Sequence, residues 1–179
     1  LKRVTFQTQL GSLHDKSERV RALSTAIAAA IGGDPRLADR AAELAKCDLI
    51  TSMVGEFPEL QGLMGRYYAE HDGEHAEICE ALREQYLPRF AGDELPATPT
   101  GMALAIADKL VTIAGIYATG QKPTGTRDPF GLRRAALGLL RTSIERRLDL
   151  DLQSLIGQAL AALPFAAPAD CARDVYDYV

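Results

Sequence analysis

Residues 103–141 constrain this chain more than any other stretch. They open with ALAIADKLVTIAGIYATG, which carries only two charges, Asp108 and Lys109. A helix that is apolar nearly all round is a buried one, so the rest of the chain has to pack around it. A loop follows, QKPTGTRDPF, rich in Gly, Pro, Thr and basic residues. Then comes a second helical pattern, GLRRAALGLLR, carrying Arg133, Arg134 and Arg141.

The remaining sequence supplies helices to surround that centre. The first nine residues, LKRVTFQTQ, alternate weakly and read as extended chain or a frayed helix. Asp15 with Glu18 forms a capping-box pattern ahead of Val20, Leu23, Ile27 and Ile31 at helical spacing. Gly32 and Gly33 end that helix, and Asp34-Pro35 starts the next as N-cap and first residue, running toward Met53. Pro58 opens a helix that ends near Gly73, in which Gly62 and Gly65 permit close approach of a neighbour. A further helix covers 74–86. Residues 91–100 form a loop, Thr98-Pro99 caps the central helix, Asp128-Pro129 repeats the capping signature, and a last helix covers 152–163. No strand period appears beyond the first residues. The prediction is an all-α fold over 1–165, with 166–179 a linker and the truncated start of a following region.

Composition narrows the function. Net charge is −4 over 179 residues, which argues against a wholly cationic nucleic-acid tail. The charge is uneven: residues 56–94 hold ten acidic and three basic side chains, and residues 122–147 hold seven basic and two acidic. That pattern predicts one acidic and one basic surface. Cys47, Cys79 and Cys171 are odd in number and lack CxxC spacing, as in a reduced cytoplasmic protein without structural zinc; Cys47 and Cys79 read as core residues. No signal peptide or uninterrupted apolar run of membrane-spanning length is present, so no membrane partner is predicted. The chain begins at Leu1 and ends on DVYDYV, the look of a piece cut from a longer protein.

Several residue groups could carry chemistry. His71-Asp72-Gly73-Glu74-His75 has the HxxEH spelling of zinc hydrolases, but Gly73 breaks the helix that would put both imidazoles on one face. His14-Asp15, Cys47-Asp48 and Asp108 are fragments of the His, His-Asp and distant Asp set of HD-type phosphohydrolases. Cys47 stands where the second His is needed, so no metal site is assigned. Asp108 needs a partner on so apolar a helix, and Arg133, at the edge of the stripe formed by Leu132, Ala136, Leu139 and Leu140, is the predicted structural ion-pair partner. The loop before that stripe lacks GK[ST] and is no Walker loop. It still sets Lys122, Thr124, Thr126 and Arg127 ahead of a helix N-terminus, an arrangement suited to phosphate. Lys122, Arg127, Arg134 and Arg141 are the predicted phosphate-facing residues, which the resemblance given below makes the predicted RNA-binding residues, and no catalytic nucleophile is read.

The strings FQTQLGSLHDKSERV, EFPELQGLMGRYYA, ALAIADKL and PTGTRDPFGLRRAALG resemble the bacterial glycyl-tRNA synthetase beta subunit, and the likeness covers nearly all of residues 1–163. The resemblance implies an HD-domain-like helical bundle with degraded metal ligands. It implies a role in positioning tRNA(Gly), with an alpha subunit in an α2β2 assembly carrying out the ATP-dependent chemistry. No cofactor would bind this segment, while the whole enzyme would use ATP. Val111 departs from the family's usual Asp in ADKLDTL, which weighs against a second functional carboxylate here. An active HD-type phosphohydrolase and a purely architectural domain are the alternatives.

Overall fold

The computed structural model describes residues 1–179. The chain is mostly helical, as predicted, with one two-stranded antiparallel ribbon, β1 (Thr5–Gln7) and β2 (Gly11–Ser12), at its start. The helices are α1 (Leu13–Ala30), α2 (Pro35–Leu44), α3 (Ser52–Glu56), α4 (Leu63–His71), α5 (Ala76–Glu84), α6 (Pro99–Ala118), α7 (Leu132–Glu145), α8 (Leu152–Ala161) and α9 (Cys171–Tyr178).

α6 is the centre. Leu104, Ile106, Leu110, Ile113 and Ile116 on it are all essentially inaccessible, and α1, α2, α5, α7, α8 and α9 pack against it. By length and composition α6 could cross a bilayer, yet 83% of its most apolar window is buried by the rest of the protein. Its apolarity is that of a core helix. The ribbon plugs into the same helix: Leu10, at its turn, packs where a Cβ on Gly115 would stand, 2.9 Å from Leu10 Cδ1. The close approaches at Gly62 and Gly65 are also present. A Cβ on Gly62 would lie 2.7 Å from the Tyr86 ring, and one on Gly65 would lie 3.3 Å from Asp48 Oδ2.

Helix boundaries differ from the sequence reading where side chains cap from unexpected positions or where a left-handed residue turns the chain. α1 begins earlier than Asp15–Glu18 suggests: Ser12 is the N-cap and Asp15, at N3, closes the capping box. α2 stops at Leu44 rather than near Met53, because Lys46 takes a left-handed conformation (φ 70°) that turns the chain into a 3-10 turn at Cys47–Ile50. Pro58 starts only a 3-10 turn, and Gly62 (φ 80°) resets the chain before α4. At 128–132 the helix starts after Gly131, while the Asp128 carboxylate still accepts from Leu132 N–H at 2.8 Å and Arg133 N–H at 3.0 Å. Residues 171–178 form α9, which buries Cys171 and Val175 in the common core and sets Tyr178 5.0 Å from the Tyr117 ring.

Two acidic side chains of α5, seven residues apart, hold the start of α6. Glu77 Oε1 accepts from Thr100 N–H at 3.0 Å and Thr100 Oγ1–H at 2.7 Å. Glu84 Oε1 accepts from Ala97 N–H at 2.7 Å, and its Oε2 accepts from Thr98 Oγ1–H at 2.6 Å. Both carboxylates sit at the positive end of the helix dipole, where negative charge is stabilised. The buried Glu84 leaves no room beside Gly101, whose Cβ would fall 1.8 Å from Glu84 Oε2. Gly101→Ala should therefore cost about 2–4 kcal/mol, through overpacking and broken carboxylate bonds. Gly157→Ala, on an exposed turn of α8 with nothing within 4 Å, should stabilise by about 0.5–1 kcal/mol. Chemical denaturation of the two variants checks the contrast.

Candidate nucleic-acid interface

Asp108 projects from α6 into a seat made by two lysines. Lys16 Nζ, from α1, lies 2.9 Å from Asp108 Oδ1, and Lys46 Nζ lies 3.6 Å from Oδ2. Lys46 also stands 3.9 Å over the Tyr86 ring, a cation–π contact that helps offset its burial. Burial alone would raise the Asp108 pKa, but the two ammonium groups outweigh it and hold the carboxyl well below the usual carboxylate range. Burial pushes the Lys16 pKa down, with Asp108 opposing. The predicted pairing of Asp108 with Arg133 is corrected: Arg133 is exposed and gives Nη2–H to Gly125 O at 2.7 Å, bracing the loop instead. Lys16 was legible as the partner, since it lies on the stripe Lys16, Val20, Leu23, Ile27 that faces the core.

Lys109, next along α6, runs its stem between α6 and α7, and a Cβ on Gly138 would lie 2.8 Å from its Cε. Its ammonium donates to Leu87 O at 2.6 Å and more weakly to Ala105 O at 3.4 Å. Burial lowers its pKa to about 8.

The fragments of a metal site do not converge. Asp48 is buried and accepts from Gly62 N–H at 2.5 Å and Gly65 N–H at 3.2 Å, fixing the entry to α4. Asp15 caps α1, and Cys47 is exposed rather than in the core. His71 ends α4 and His75 caps α5, so the two imidazoles belong to different helices. Nowhere do three His, Cys, Asp or Glu side chains gather.

The four predicted RNA-binding cations meet different fates. Lys122 is paired with Asp174 of α9. Arg141 is half-buried, paired with Glu145 at 2.8 Å and donating to Asp93 O at 3.4 Å. Arg127 is exposed on a tight turn closed by paired backbone bonds with Thr124, and its guanidinium has no protein partner. Arg134 is exposed in the first turns of α7 and also lacks one. The predicted acidic surface is largely consumed within the fold. Glu70, Glu74, Glu80 and Asp93 pair with Arg66, Arg40, Arg83 and Arg89, and Glu77 and Glu84 cap α6.

Residues 1–179 match the family model of the glycyl-tRNA synthetase beta subunit. The chain belongs to that family. It is 56% identical, over its whole length, to a glycine–tRNA ligase beta subunit of Chromohalobacter salexigens, and 55% identical to that of Marinobacter nauticus. It is 59% identical over 87% of its length to that of Pseudomonas putida. The chain spans about a quarter of the length of these beta subunits, 26% in the first two and 23% in the third.

Two measurements test the lysine seat. Asp108→Asn leaves two ammonium groups without their counter-charge and should cost about 3–5 kcal/mol. Lys16→Ala should cost more than Lys46→Ala, following the two distances of 2.9 and 3.6 Å. The Asp108 contribution is present above the unfolded carboxyl pKa and is lost as pH falls through the lowered folded value. Lys109 has the opposite sense. Its folded pKa of about 8 lies below the ordinary 10.5, so the unfolded chain binds more protons between those values. The stability of the native chain relative to Lys109→Met should thus improve by up to about 3 kcal/mol from pH 7 to 10.5. Urea denaturation at fixed pH steps checks the sign.

Proposed function

We propose that this helical unit serves a glycine–tRNA ligase as a tRNA-positioning module and leaves glycine activation with ATP to the alpha subunit of an α2β2 assembly. The proposed setting is the cytoplasm. One observation carries the reading. Arg127 and Arg134 remain without protein partners at the loop–α7 junction, while most other cations are neutralised inside the fold. Free guanidinium groups, one on the turn before α7 and one in its first turn, suit RNA phosphates, which position the nucleic acid without reading its sequence. The HD-like ancestry suggested by the sequence agrees with Asp108 on the central helix. In this chain, however, lysine ammonium groups occupy the space beside that carboxylate. A hydrolytic reading is accordingly weaker than the tRNA reading.

An architectural role draws support from exposed apolar side chains between residues 50 and 68, namely Ile50, Met53, Phe57, Tyr67 and Tyr68. Such residues suit a protein contact. The two readings separate by experiment on the full-length ligase. Arg127→Gln and Arg134→Gln should each weaken tRNA binding, and each should flatten the slope of log affinity against log salt by roughly 0.7–0.9. Lys122→Gln and Arg141→Gln should do less, because those groups already have carboxylate partners. Arg36→Gln, whose side chain pairs with Asp34, serves as the control. Should Arg127 and Arg134 behave like Arg36, the architectural role is the better reading.

A further inference from the structure

Arg134 stands on the border of two depressions. One is a cleft of about 750 Å³ between the end of α5, the 85–89 segment, α6 and the start of α7, with Gln85, Tyr86, Lys109 and Arg134 in its lining. Its volume is within the range of small-ligand sites. The other holds about 170 Å³ and is lined by Phe90, Leu137 and Arg141 among others. The two share Pro88, Arg89 and Arg134.

The polar groups of the cleft are unequally satisfied. Arg83 is paired with Glu80 and Glu94, Arg89 with Asp93, and Lys109 gives its hydrogens to main-chain carbonyls. Arg134 has no such partner. Gln85 is 1% exposed, and its Oε1 has no hydrogen-bond partner; neither does the buried Tyr86 hydroxyl. The Gln85 amide is oriented by its own Nε2–H, which donates to Leu82 O at 2.8 Å, so Oε1 is fixed as an acceptor. A buried acceptor left unmade is costly and calls for an N–H donor. The second depression is of another kind. Phe90 and Leu137 are each 60% exposed and line the same depression, an aromatic ring beside an aliphatic side chain. Along α7, Arg134, Leu137, Arg141 and Ile144 recur at helical spacing on one outer face, mixing cations with apolar groups.

A cation shared by a polar cleft and a depression with an exposed aromatic has the order of single-stranded nucleic acid, in which each phosphate lies between two bases. We propose that these depressions take two successive unpaired nucleotides of RNA. The intervening phosphodiester sits on Arg134. One base enters the cleft bearing Gln85 and Tyr86, and the next stacks on Phe90 beside Leu137. The proposal rests on the tRNA reading above and adds to it a preference for unpaired over duplex RNA.

The test uses the full-length ligase with its partner subunit and three probes: a mixed-sequence RNA tetranucleotide, a blunt RNA hairpin closed by a tight loop, and AMP. Competition with labelled tRNA gives the affinities. Phe90→Ala should weaken the tetranucleotide at least about 5-fold and leave the hairpin within about twofold, since base-paired RNA offers no free base face. Arg134→Gln should flatten the salt slope for the tetranucleotide by about 0.7. Phe90 is exposed, so its truncation leaves the core intact. The cleft assignment is overturned if tRNA and hairpin bind but the tetranucleotide does not compete, or if both variants affect hairpin and tetranucleotide alike. It is also overturned if AMP competes as well as the tetranucleotide, which would make this a free-nucleotide site. Failure of tRNA itself to bind would instead remove the RNA reading on which the assignment rests.

Discussion

A single carboxylate on the most apolar helix sets the terms for the rest of the structure. α6 can be the centre only if Asp108 is neutralised, because an isolated buried charge costs far more than the packing around it can recover. Two helical segments send an ammonium group to it. Lys16 comes from the inward stripe of α1, and Lys46 comes from the left-handed residue that ends α2. The seat therefore ties α1 and the residue that follows α2 to the central helix. Beyond it come the short turns at Cys47–Ile50 and Pro58–Leu60, and Asp48, one residue beyond Cys47, anchors α4 through two amide groups.

The architecture was largely legible in the sequence, because its strongest signals are local. The apolar run of α6, the Asp34-Pro35 and Thr98-Pro99 starts and the Gly32-Gly33 stop all act within one turn of chain, and each appears where the pattern puts it. The boundary errors fall where a cap lies a few residues from the expected one or where a left-handed residue, Lys46 or Gly62, turns the chain. Ser12 displaces the predicted start of α1 through Asp15, and Asp128 serves the N–H groups of α7 from outside the helix. Pairings between helices were less accessible. Asp108 was read correctly as needing a partner, but the place of Arg133 at the edge of an apolar stripe favoured it, and Lys16 is 92 residues away.

The candidate interface was half legible for a related reason. A run of basic residues predicts positive surface only if the fold does not use those residues itself. Lys122 is taken by Asp174 on α9, a helix that the sequence reading treated as the start of another region. Arg141 is drawn into contacts with Glu145 and the Asp93 carbonyl. On the acidic side, Glu77 and Glu84 disappear into the start of α6. What remains to face a partner is set by this internal neutralisation and not by the count of charges along the chain. Phe90 and Leu137 were missed because isolated apolar residues in a loop or helix look like ordinary core until the fold shows them outside.

The lysine seat has one more consequence. Its positive charges are tethered to the same backbone as the carboxylate, so the effective concentration of counter-charge at Asp108 is fixed by geometry and cannot be diluted away. A centre neutralised by a dissociable ion would empty as that ion grew scarce, and the fold would loosen with it. Here dialysis, chelation or a change in ion supply leaves the centre as it was. Only proton activity, acting on the carboxyl or the amines, can discharge it.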